Sequence, residues 1–469
     1  MSKLVSVPNH PGRREFLRRA SALSAGGIAA PLMLNLAAMG EASAQTANDY
    51  KALVCVFLYG ANDHNNMVIP YDNGSYTPYA QIRQTLARVR DTQTTAVLSS
   101  SAAVDGGRSF ALASELAGLK HIWDAGLLAL ALNVGPLIQP TTKAQYTAQN
   151  VPLPPKLFSH NDQQSIWQSL ESEGAVSGWG GRMGDLLASG NGSSVFTSVS
   201  VTGNAVYLAG KDVNQYQIST TGSVALRAKT ANVFGSSQVA TALQQLVQQS
   251  GTNFLEAEHA KIVQRAISAD GQLSGVLAGI AQPTGFSAEP LSAQLAMVTR
   301  MLQARQTLGA KRQVFFVSIG GFDLHDFLTD LHPALLLQIN NALASFYAAL
   351  GPLGLADKVT TFTASDFGRT LTSNGDGSDH GWGSHHFVMG AAVKGGRFYG
   401  RTNTGGAVDP PIYANNGPDD VGSGRLLPNL AVDQFGATLA SWFGVSATDM
   451  NTVFPNLKNF SNKNLGFMI

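Results

Sequence analysis

The sequence predicts an α/β fold with a mostly parallel central sheet, helices on both faces and a helical insertion. Three observations point there. Residues 53–59, 127–134 and 387–393 are short, largely apolar runs, and 313–319 and 359–364 are short runs rich in apolar and β-branched residues, the pattern of buried strands. Between them lie stretches with apolar residues at helical spacing, at 112–123, 162–170, 291–308 and 333–350, so strand and helix alternate. The strand candidates also end in glycine or short polar residues, the edge at which open α/β sheets build their sites.

Each remaining stretch has its own signal. Residues 135–155 carry five prolines and predict a long loop, which opens onto Ser159, His160, Asn161 and Asp162, residues suited to a helix start. The glycine-rich residues 174–182 predict a turn into a helix at 183–187. Alternation of apolar and polar residues over 195–218 predicts short antiparallel strands. Residues 225–300 are rich in Ala, Leu and Gln and are read as the helical insertion, inside one domain spanning 45–469.

The chain has 469 residues, of which 44% are hydrophobic and 13% charged. A large core is therefore feasible, and much of the surface must be built from neutral polar residues. Cys55 is the only cysteine and sits in the first apolar run, so no disulfide can form within the chain and a buried strand thiol is expected.

Residues 1–44 read as a twin-arginine export signal. Arg13 and Arg14 precede a diluted apolar run from Ala20 to Met39 and the small residues Ala42, Ser43 and Ala44, the order of a cleavable leader with cleavage after Ala44. Gly26, Gly27, Pro31, Asn35 and Gly40 interrupt the run, which argues against a stable membrane anchor. Removing the leader leaves 26 basic and 28 acidic residues from the original 31 and 30. That balance gives no concentrated basic face and no expectation of a nucleic-acid partner. The expected setting is periplasmic or secreted, with the twin-arginine translocase as a partner during export.

The chemistry is expected where strand ends converge. Asp63, Asn133, Asp323 with His325, and Asp366 follow four separate strand candidates. Five of the ten histidines lie between Asp323 and His386, namely His325, His332, His380, His385 and His386. Imidazole and carboxylate together suit a divalent ion such as zinc, manganese or iron. His332 precedes Pro333 at a helix start and reads as structural. His385 and His386 cannot both face one site from a strand, because successive side chains alternate. Ser159 is the candidate nucleophile, since a hydroxyl at a helix N-terminus meets the positive end of the dipole; its plain alternative is a cap. His160 and Asp162 read as supporting partners or helix-start residues. Arg369, just after Gly368, is the candidate clamp for an oxyanion.

At these residues the chain resembles a known family. Phe57 to Asp63, Phe158-Ser159-His160 with Gln163 and Trp167, Gly178 to Arg182, Gly320 to His325, Asp366 to Thr370, and Asp379-His380-Gly381 with Val393 to Gly396 resemble the exported family catalogued as domain of unknown function 1501. That family is similar in fold to the alkaline phosphatase and sulfatase superfamily. The resemblance implies metal at Asp63, Asp323, His325, Asp366 and His380 or His385, with Ser159 as nucleophile. It implies a divalent ion (zinc, manganese or calcium) and a small-molecule or glycan ester of phosphate or sulfate as substrate. One departure stands out: superfamily members commonly carry histidine directly after the second-site aspartate, where this chain has Phe367. The alternative expectation is a catalytically inactive, sulfatase-like binding or assembly protein of the cell envelope.

Overall fold

A computed structural model of the chain describes residues 49–224, 232–248 and 253–469. The expected export signal lies outside these residues, as do 225–231 and 249–252 of the expected helical insertion.

Ten strands make the main sheet: β1 (Lys51–Leu58), β2 (Leu128–Gly135), β3 (Ser198–Ser200), β4 (Tyr216–Ser219), β5 (Gly222–Ser223), β6 (Arg312–Ile319), β7 (Val359–Ser365), β8 (Ser384–Met389), β9 (Arg397–Tyr399) and β10 (Leu430–Ala431). Their order is β9-β2-β8-β7-β1-β6-β3-β4-β5, with β10 also paired to β2. β1 is central and parallel to both β7 and β6. β3 and β4 extend the parallel set beyond β6. β8 runs antiparallel between β7 and β2, so the sheet is mixed but mostly parallel.

The helices follow from apolar stripes that need the sheet. Those of eight residues or more among the described residues are α1 (Asn73–Arg83), α2 (Ala117–Asp124), α3 (His160–Ser169), α4 (Trp179–Leu187), α5 (Ser237–Gln248), α6 (Phe254–Ala278), α7 (Pro290–Ala304), α8 (Leu328–Leu350) and α9 (Val432–Phe443). Alternate residues of β1 enter two different cores, as the two-residue period of a strand requires. Ala52, Val54, Val56 and Leu58 share a core with Leu295 and Met301 of α7 and Ile339 and Phe346 of α8. Leu53, Cys55 and Phe57 share the other with Trp179 and Met183 of α4 and Phe435 of α9. Helices thus cover both faces. Among the described residues, no helix is long and apolar enough to cross a membrane.

Two sequence expectations are corrected. The strands within 195–218 pair parallel, not antiparallel, because β3 and β4 join the edge of the main sheet instead of forming a local meander. β8 starts at Ser384 instead of Phe387 and runs against its neighbours. His385 and His386 consequently both lie inside a strand, on opposite faces. His386 packs on Trp167 and Phe435, and His385 packs on His64.

Candidate metal centre

The parallel strands β1, β2, β6 and β7 bring their C-terminal ends to one edge, and the turns beyond them build the site. Gly60 follows β1 with φ +105°, and a Cβ there would stand 2.5 Å from the Asp323 backbone nitrogen. Only glycine lets the β1 and β6 turns approach so closely. Gly321, at φ +100°, completes the reversal that presents Asp323 and His325. Phe158 has φ +70°, an uncommon conformation for a bulky residue, and it turns its carbonyl toward the site just before α3.

Four side chains from three distant segments converge. His160 Nε2 lies 3.1 Å from His380 Nε2 and 3.3 Å from Asp323 Oδ2. His380 Nε2 lies 3.3 Å from Asp323 Oδ1. His325 Nε2 lies 2.9 Å from His380 Nε2 and 3.0 Å from Asp323 Oδ1. The ligand atoms of His160, Asp323 and His380 all fall within 4.8 Å of one another, and His325 reaches two of the three. Among the described residues, His160, Asp323 and His380 are the group whose ligand atoms could hold one metal ion, with His325 beside two of them.

A second layer faces the other ring nitrogens. His160 Nδ1 contacts Asp366 Oδ2 at 2.6 Å, His380 Nδ1 contacts the Phe158 carbonyl at 2.7 Å, and His325 Nδ1 contacts Asp379 Oδ1 at 3.3 Å. Asp366 is fully buried and also accepts from the Gly60 amide and from Gln164 Nε2 at 2.8 Å. The Phe367 ring packs against His160 and His380, with centroids 4.8 and 4.7 Å away.

Electrostatics separate the groups. The hydrogen bond that His160 donates to Asp366 raises its imidazole above the ordinary value despite burial, helped by the charges of Asp366 and Asp323. His380 is lowered, chiefly by burial and in part by the charge of His160. Burial works to raise the Asp323 carboxyl, but Arg369, His160 and His325 outweigh it and hold the group below the usual carboxylate range.

Other expected site residues lie elsewhere. Asp63 is taken up by its own surroundings: Oδ2 pairs with Arg83 Nη2, and Oδ1 accepts from the Asn65 amide at 3.2 Å. The pair is buried on both sides, so Asp63 does not reach the cluster, correcting the expectation of a ligand. His385 Nδ1 accepts from the Asn133 amide at 3.0 Å. That bond puts the proton on Nε2, so neither nitrogen of the neutral ring offers a lone pair to a metal, which corrects the second expectation. Arg369 is fully buried; Nη1 donates to Asp323 Oδ1 at 2.6 Å, Nη2 to the Ser378 carbonyl and Nε to Ser378 Oγ at 3.4 Å. Its fork is engaged with the protein, so it orients Asp323 and is not the clamp expected for an oxyanion.

Ser159 sits at the N-cap of α3 without capping it. Its hydroxyl donates instead to Asp162 Oδ2 at 2.9 Å. Sequence reasoning underrated His160, Gln164 and Asp379. The available signal was the position of His160, which directly follows the serine that opens the helix.

The family model described as "Protein of unknown function (DUF1501)" matches residues 50–412. No curated protein matches the sequence. Among solved structures, Ps i-CgsB in complex with k-i-k-neocarrahexaose is similar at 9% identity and a TM-score of 0.34, over 89% of this chain and 77% of that one. The PsFucS1 sulfatase from Pseudoalteromonas sp. is similar at 9% identity and a TM-score of 0.33, over 92% and 76%. The lipoteichoic acid synthase LtaP from Listeria monocytogenes is similar at 10% identity and a TM-score of 0.28, over 76% and 68%. The family match runs from the start of β1 past β9 and takes in every residue of the cluster, and the chain belongs to the DUF1501 family.

Proposed function

We propose that this protein is an exported, metal-dependent hydrolase of phosphate or sulfate esters. The observation that carries the reading is the convergence of His160, Asp323, His325 and His380 from separate segments at one sheet edge. A divalent ion held there would supply Lewis-acid polarisation of the ester oxygen and charge stabilisation in the transition state. Ser159, adjacent to His160 and hydrogen-bonded to the Asp162 carboxylate, is the proposed nucleophile, with Asp162 orienting the hydroxyl. The resemblance of the motifs to the phosphatase and sulfatase superfamily supports the choice of ester. The paired arginines and diluted apolar run at the N-terminus support export of the folded chain, with a periplasmic or secreted site of action.

Ser159→Ala is expected to abolish turnover of aryl phosphate and aryl sulfate while leaving bound metal unchanged, measured by initial rates and elemental analysis. Undiminished turnover in that variant would remove Ser159 from the mechanism. A second reading, a sulfatase-like shell that binds a surface glycan or partner without chemistry, is favoured by two observations. Phe367 stands where the superfamily commonly has histidine, and the Arg369 guanidinium is buried and already paired with Asp323. Metal-loaded protein that turns over neither ester would decide for the shell.

A further inference from the structure

We infer that the centre takes a single first-row transition ion of the zinc class. His160 is one of its ligands, while Asp366, Asp379 and the Phe158 carbonyl act as positioning groups that fix the imidazoles. The inference rests on the metal-centre part of the proposed function and is independent of hydrolysis.

Carboxylate and carbonyl oxygens only accept hydrogen bonds. Bonded to Nδ1 of His160 at 2.6 Å and of His380 at 2.7 Å, they put the proton of each neutral ring on Nδ1. Nε2 of His160 and of His380 then presents a lone pair inward, the arrangement in which an outer carboxylate or carbonyl sets the tautomer of a metal-bound histidine.

Those lone pairs face one another. His380 Nε2 has two imidazole nitrogens at 3.1 and 2.9 Å and a carboxylate oxygen at 3.3 Å. Neutral His160 and His380 rings with Nδ1 protonated have no proton to place between their Nε2 lone pairs; one cation at the centre satisfies both. Ligands bound at about 2.0–2.1 Å around a tetrahedral ion stand roughly 3.4 Å apart, close to the 3.1 and 3.3 Å separations among His160, His380 and Asp323.

Ligand chemistry narrows the ion. Calcium takes six to eight oxygens and magnesium an octahedron of oxygens. A set of imidazoles with one carboxylate suits zinc and its neighbours in the first transition row. Asp366 stands on the far side of the His160 ring, held by Gly60 and Gln164, one imidazole removed from the centre. Asp63 pairs with Arg83 and His385 Nδ1 accepts from the Asn133 amide, and among the described residues one group, His160, Asp323 and His380, gathers its ligand atoms within reach of a single ion.

The test uses purified full-length protein, stripped with a chelator and titrated with zinc, cobalt or calcium against a chromophoric competitor. One equivalent of zinc or cobalt is expected to bind, cobalt with the intense visible bands of a four-coordinate site, and calcium is expected not to compete. His160→Ala should lose tight binding. Asp366→Asn should retain one equivalent at about 10- to 100-fold lower affinity with altered cobalt bands, and Gln164→Leu, a milder change, should weaken binding less in the same direction. Circular dichroism of the stripped variants identifies any that fail to fold. Two equivalents of zinc, preferential calcium binding, or unchanged zinc affinity in folded His160→Ala would overturn the inference. One equivalent of zinc without turnover of any ester would uphold it and remove the hydrolase reading alone.

Discussion

Asp63 and Arg83 are both almost wholly buried, and each is answered by the other. Arg83 also donates to the Thr370 carbonyl at 3.2 Å, tying α1 to the short strand Arg369–Ser373. Removing one member of a buried pair leaves the other as an uncompensated charge, which costs about 3–5 kcal/mol. Asp63→Asn is therefore expected to lower unfolding free energy by about that amount, read from urea denaturation, while the folded variant still binds one zinc. Loss of zinc from the folded variant would return Asp63 to the ligand set.

At the scale of elements, the site depends on how closely the turns after β1 and β6 can approach. Gly60→Ala would force a Cβ to within 2.5 Å of the Asp323 nitrogen in a left-handed conformation. Overpacking of this kind costs about 1–3 kcal/mol, with about 1–3 kcal/mol more for the strained backbone. The variant is expected to melt at lower temperature and to bind zinc more weakly, because the displaced backbone carries Asp323; calorimetry and the chelator competition read the two effects. The strands that present these turns were legible, since β1, β2, β6 and β7 are largely buried and show as short runs rich in apolar and β-branched residues. Strand direction was not: β8 is antiparallel because of pairing with β2 and β7 far away in sequence, which no local pattern records. Asp323, His325 and His380 stood out in the sequence by residue type and position. The separation of ligand from orienting group did not, because Asp366 and Asp63 look alike in sequence and differ only in which distant partner, His160 or Arg83, comes to meet them.

At the scale of the whole molecule, four histidines are buried in uncharged form. Burial lowers His332 to about 4, His385 to about 4, His386 to about 3 and His64 well below its ordinary value. A folded value below the unfolded one means that the unfolded chain takes up the proton first. Their contribution to stability is complete above about pH 6.5 and is lost as pH falls toward 4. Asp433 works in the opposite sense: burial raises it to about 7, so its contribution is present at low pH and lost as pH rises through 7. Between pH 6.5 and 4 the net is three protons taken up on unfolding, a slope of roughly 4 kcal/mol per pH unit. Chemical denaturation at a series of pH values should show stability falling steeply below pH 6.5; a flat profile would mean that these imidazoles are hydrated.

Cys55 lies mid-way along β1, 2% exposed, with burial raising its thiol well above the ordinary value. No thiolate forms there, and no reagent reaches the sulfur past the neighbouring strands and the helices on either face. Its oxidation state is thus a memory of the chain's history: a molecule found with that sulfur modified has, at some moment since synthesis, had its central strand laid open.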